Sequence, residues 1–171
     1  MYDKYVSSVF FMCKGKRRER MFFLVCLVSV LASVSFCSAE EYWFRKDGSL
    51  KFFNAQTNTQ RVGIDIEIAE GSSALAQGLM YRKKLEPLHG MLFIFGEEGM
   101  RYFYMKNTSI SLDIIFINAD KKIVKIHKQT TPFSLTTLPS EKPAQYVVEV
   151  NADFCNKHGI TAGDSMSFER D

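Results

Sequence analysis

Residues 62–69 read Val62-Gly63-Ile64-Asp65-Ile66-Glu67-Ile68-Ala69. Every even position carries a β-branched side chain and every odd one a small or acidic residue, a period of two that sends all the branched groups to one face of an extended chain. The pattern predicts a strand whose Val/Ile face lies in the core and whose Asp/Glu face meets water. A helix would scatter the same residues around its axis.

Downstream, Gly71-Ser72-Ser73 supplies a helix start for Ala74 to Gln77, and Gly78 ends it. Pro87 and Gly90 punctuate a loop before a short apolar strand at 91–95. Gly96-Glu97-Glu98-Gly99 reads as a turn with solvated glutamates, so 91–95 and 101–105 are predicted to pair as a hairpin. Residues 112–118 and 123–127 form a second predicted hairpin across the charged tip 119–122. Residues 128–143 contain Pro132, Pro139 and Pro143 among many Ser and Thr, which predicts a long irregular connection. A strand at 146–150, a short helix at 152–157 and a last strand at 165–168 complete the reading. The sum is a strand-rich α+β domain with two short helices, built as a compact antiparallel or mixed sheet or a small barrel-like domain. The domain is expected over 59–171, after a polar tether at 40–58 in which Asp47-Gly48 marks a turn.

The first 39 residues follow a different logic. A basic stretch at 14–20 precedes an apolar run at 21–36 and then Cys37-Ser38-Ala39, the order of a secretory signal with cleavage expected before Glu40. The alternative is an uncleaved anchor, although the run is slightly short of the ~20 apolar residues of a membrane span. The expected location is therefore periplasmic or extracellular, with membrane contact only through residues 21–36 if they are retained. Six of the 22 basic and two of the 19 acidic residues precede Glu40, leaving 16 against 17. A near-neutral domain of this kind does not call for a nucleic-acid partner. Three of the four cysteines also lie in that segment. Cys155 alone remains, cannot close an internal disulfide, and reads as a small buried apolar group.

No phosphate loop, nucleophile elbow, cysteine pair or helical histidine pair occurs, and His89, His127 and His158 are scattered. No catalytic residue, cofactor or metal site is therefore predicted. Met80, Met91, Met100, Met105 and Met166, with His89, could in principle supply thioether and imidazole ligands to Cu(I), but none of these methionines form a closely spaced pair, and core packing is the expected role.

Gly78-Leu79-Met80, Gly90-Met91-Leu92-Phe93, Met105-Lys106-Asn107-Thr108 and Leu112-Asp113 occur in this order. Here the chain resembles the family called domain of unknown function 192. Residues 146–150 and 159–164 resemble its C-terminal portion, so the resemblance spans about 60–169. Tyr104, Ser111 and Asn151-Ala152 depart from the family's usual Trp, Pro and Ala-Gly at those places. The resemblance implies a compact strand-rich fold, frequent export and no established activity.

Candidate binding residues gather in that segment: Arg82, Met105, Lys106, Asn107 and Asp113. Asp113 places a charge beside large apolar neighbours, so it needs a partner, which Arg82, Lys106 or free backbone N–H groups could provide. Either it is a buried brace or it belongs to a ligand site. The expected function is a non-catalytic module that binds a small molecule or a protein. The alternatives are an enzyme using Asp113 with Arg82 and Asn107, or a structural envelope component.

Overall fold

The alternating stretch forms most of β2 (Gln60–Ala69) in the computed structural model, which describes residues 43–171. β2 pairs antiparallel with β1 (Gly48–Phe53) and parallel with β3 (His89–Gly99). β3 pairs antiparallel with β8 (Ala144–Asn151), β8 with β5 (Leu112–Ile117), and β5 with β6 (Ile123–His127). β9 (Ser165–Arg170) lies outside β1, so the seven strands run β6-β5-β8-β3-β2-β1-β9. One bridge between Lys122 and Ser165, with the Met166 N–H donating to the Lys121 carbonyl at 3.0 Å, joins the two edges at a corner. The sheet is thus rolled without closing into a barrel.

The parallel β2–β3 pair requires a crossover, and residues 70–88 supply it. They contain α1 (Gly71–Gln77), which ends at Gly78 as the sequence predicts but starts from Glu70 without a side-chain cap, so that Ser72 and Ser73, read as the capping segment, lie inside the helix. This crossover, together with β4 (Tyr102–Phe103) and β7 (Leu138–Pro139), covers one face of the sheet around Met91, Phe93, Ile114, Phe116 and Val147. The opposite face packs Leu50, Ile64, Ile66, Leu92, Ile115 and Val148 against Phe154 and Cys155 of α2 (Phe154–Lys157). Because both faces are covered, all six residues of β5 are buried, which is why Leu112-Asp113-Ile114-Ile115-Phe116-Ile117 shows no apolar–polar alternation. On the Phe93 face, edge-to-face contacts link Phe93, Phe103, Phe116 and His127 with centroid separations of 5.1, 5.6 and 5.8 Å.

The strand-rich α+β class, the β5–β6 hairpin, β8, α2 and β9 agree with the sequence reading. Four expectations are corrected. Gly48 to Phe53 is no tether but an inner strand of the sheet, held by β2 and β9. Residues 96–99 continue β3 instead of turning, and 101–105 does not pair with 91–95. Both edges of β3 are already occupied by β2 and β8, so β4 pairs with β7 inside the long connection. The barrel-like alternative gives way to the open roll. Finally, Glu67, expected on a wet face, is buried because the crossover covers it.

The segment read as a signal, 1–39, lies outside the described residues. Among the described residues no helix is long and apolar enough to cross a membrane.

Candidate functional site

Strand register sets Glu67 beside Met91 and Met91 beside Glu149. Directly paired residues share a face, so one row on the Phe93 face carries two carboxyls flanking Met91, two strand spacings or ~10 Å apart at the backbone. Both glutamates are buried. Their surroundings differ.

Glu67 Oε2 lies 2.6 Å from Arg82 Nη2, a pair closed off from water on both sides. Among the described residues Glu149 has no basic partner, and its Oε2 is buried without a hydrogen bond. Burial pushes its pKa up to about 8, against the smaller opposing effect of the Leu79 backbone N–H. At neutral pH this carboxyl is held mainly as the neutral acid.

Gly78 brings the chain down over it. Its φ of 49° and ψ of −136° suit glycine, and a Cβ there would stand 2.8 Å from Phe93 Cζ and 3.6 Å from Glu149 Oε2. Gly78 to Met80 and Tyr102 to Tyr104 then flank a cleft of about 200 Å³, with Phe93, Thr108 and Glu149 among its lining residues. Among the described residues Glu149 is the only Asp, Glu, Lys, Arg or His that lines it. Tyr102 and Tyr104 stay exposed at the rim. A neutral carboxylic acid there can donate or accept a hydrogen bond, and as a carboxylate it can pair with a cation. Two wider depressions, one beside His127 and Thr130 and one beside Asn151 and His158, have no buried polar atom lacking a partner.

The structure separates the residues singled out by sequence. Arg82 serves Glu67, and its carbonyl accepts the Ser109 hydroxyl at 2.8 Å. Asn107, at φ 55°, donates Nδ2 to the Tyr81 hydroxyl and accepts the Tyr81 N–H on its carbonyl, each at 2.8 Å, which ties the Met-Lys-Asn-Thr element to the crossover. Met105 is buried in the core, where the Thr130 hydroxyl approaches its sulfur at 3.2 Å, and Lys106 is exposed. Asp113 lies on the other face, between Leu112 and Ile114 of the Phe93 core. Its Oδ1 accepts the N–H groups of Gln129 at 2.8 Å and Asp153 at 3.3 Å, and Oδ2 that of Cys155 at 2.9 Å. Of the three partners the sequence allows it, backbone N–H groups are the ones it takes, and the result is a brace between β5, the β6 exit and α2. The Cys155 thiol beside it is buried, and burial, reinforced by Asp113, pushes its pKa up. The methionines do not converge, since Met91 and Met105 sit in one core, Met166 in the other and Met100 in solvent. Among the described residues no group of His, Cys, Asp or Glu is arranged to hold a metal ion.

Glu149 is absent from the sequence-based candidates. Its signal was present, one acidic residue among Val147, Val148 and Val150 in a strand otherwise apolar at its centre.

Comparison with known proteins places the whole cleft inside a recognised domain. The family model DUF192, described as Uncharacterized ACR, matches residues 53–168. A solved structure from Sinorhizobium meliloti 1021, provisionally described as a transcription regulator, is 33% identical with a TM-score of 0.69 over 74% of this chain and 98% of its own. A protein of unknown function from Novosphingobium aromaticivorans DSM 12444 is 32% identical, with a TM-score of 0.66 over 70% of this chain and 83% of its own. Among curated proteins none gives a significant match.

Proposed function

This chain belongs to the DUF192 family, and on that footing we propose that its domain is a non-catalytic binding module whose small-molecule site is the cleft over Glu149. The buried, unpartnered Oε2 of Glu149 carries this reading. An unsatisfied polar group costs about 1–3 kcal/mol, and the valines around it in β8 would fill the same strand without that cost. A group kept at such expense at the edge of an open cleft is best accounted for by a ligand that completes it. Acid–base catalysis is less well supported, because among the described residues no second carboxyl, amine or imidazole lines the cleft to act with Glu149. A regulator acting on nucleic acid would need a basic face, whereas the charge from Glu40 onward is nearly balanced.

A fragment screen read by amide chemical shifts tests the reading. Binders should move Gly78, Leu79, Tyr104 and Glu149 together and lose that effect in Glu149→Gln. A screen whose hits all map elsewhere, or that yields none, removes the proposal.

The proposal includes export, supported by the basic, apolar and small-residue order of residues 14–39. N-terminal sequencing of the product should read from Glu40. An intact N-terminus in the membrane fraction would favour the anchor instead.

A further inference from the structure

We infer that the ligand of the Glu149 cleft is a small organic cation, an alkylammonium group that sets its charge against the Glu149 carboxylate and its alkyl surface against Phe93, Tyr102, Phe103 and Tyr104. This rests on the binding-module reading and narrows it to a chemical class.

Charge comes first. Among the described residues the lining has one carboxyl and no Lys, Arg or His, so it offers an anion no opposite charge, whereas a cation would meet the carboxyl. The Arg82 guanidinium is engaged by Glu67, which stands beyond Met91 in the cross-strand row. Glu149 is therefore a buried acid whose counter-ion the fold does not provide. An incoming cation supplies it.

Ring chemistry points the same way. Four aromatic residues line the cleft, and the negative face of an aromatic ring attracts a positive charge, most strongly where water is excluded. Leu75, Leu79 and Met80 add apolar surface that suits alkyl substituents better than a hydrated ammonium ion. The volume of about 200 Å³ is below the ~300–1,000 Å³ of pockets for drug-sized ligands, so the occupant is a headgroup or a small amine.

Binding of a fixed cation is coupled to loss of the Glu149 proton, because the carboxyl is mainly neutral in the empty cleft at pH 7. The other titratable groups facing it are Tyr102 and Tyr104 across the cleft. Along the row they are the Glu67–Arg82 pair beyond Met91 and His127 beyond Ile114. α1 and the turn after it contribute none between 71 and 80.

The experiment titrates the full chain with choline and with 3,3-dimethylbutan-1-ol, its uncharged isostere, following amide shifts and heat at pH 6, 7 and 8.5. Choline should shift Gly78, Leu79 and Tyr104, bind at least about tenfold more tightly than the isostere, and gain about tenfold in affinity from pH 6 to 7 as one proton is released. In Glu149→Gln, confirmed as folded by its amide spectrum, both the preference for choline and the pH dependence should vanish, which also separates Glu149 from His127. Equal binding of the isostere in the cleft would overturn the cation inference and leave the binding module standing. Choline shifts that map elsewhere, absence of choline binding, or an unaltered preference in Glu149→Gln would each overturn it as well. Failure of the fragment screen at the cleft would instead remove the broader reading.

Discussion

Arg82 reaches across the Phe93 face to Glu67 and pairs with it at 2.6 Å, both side chains withdrawn from solvent. Arg82 leaves the crossover just after the Gly-Leu-Met turn and Glu67 sits on β2, so the pair anchors one wall of the cleft to the sheet. Arg82→Ala leaves a carboxylate buried without its ion partner and should cost about 3–5 kcal/mol in urea unfolding at pH 7. Replacing both residues, Glu67→Leu with Arg82→Met, should recover most of that loss. If the double variant is as unstable as the single one, the interaction is not what holds the wall.

Gly78→Ala should destabilise the domain by about 3 kcal/mol, from backbone strain at a positive φ together with displacement of the Phe93 ring. Thermal melts would show the loss, and any fragment bound at the cleft should lose its contact with Leu79. A fully stable Gly78→Ala protein would mean that the turn can rise off the carboxyl without cost.

Glu149 makes stability fall as pH rises, and the sign follows from its raised pKa. Below the ordinary carboxyl value of 4.5 both folded and unfolded chains are protonated and its contribution is fully present. Between there and about 8 the unfolded chain gives up a proton that the fold retains, so stability declines by about 1.4 kcal/mol per pH unit and levels off above that range. Denaturant midpoints of Glu149→Gln should lack this limb. Parallel profiles for the two proteins between pH 5 and 8 would refute the assignment.

Asp113→Asn keeps the shape of the brace but turns an amide NH₂ towards backbone donors that now face a carboxylate oxygen. The expected loss is about 2–3 kcal/mol, read in urea at pH 7. Ligand-induced shifts at Gly78 and Leu79 should be unchanged, because Asp113 lies on the opposite face from the cleft. A variant that stays stable but loses binding would move the site to Asp113.

Much of the architecture can be read in the chain itself. The period of two at 62–69 places Ile64 and Ile66 in the core because alternation is imposed by the extended backbone, whatever surrounds it. β5 and β6 find each other because the partner lies only a few residues away. β1 is harder to see, since Lys51 and the polar residues before and after Leu50 to Phe53 conceal a strand that only β2 and β9 make regular. The choice of partners for β3 is also invisible locally, because one is parallel and reached by a crossover and the other lies some fifty residues on.

The candidate site divides along the same line. Asp113 attracts notice as an acid among large apolar residues, and its need for partners is a matter of charge in a poorly polarisable surrounding, legible from sequence. Which partners it takes depends on where α2 and the β6 exit place their N–H groups. Glu149 differs from it only in what lies above the sheet. The sequence determined which residues face which side of each strand, because that follows from backbone geometry over neighbouring residues. Only the tertiary structure decided that three N–H groups converge on Asp113 while Gly78 and the tyrosines border the cleft at Glu149 and, among the described residues, bring it no counter-ion, because covering a sheet face is the work of segments far apart in the chain.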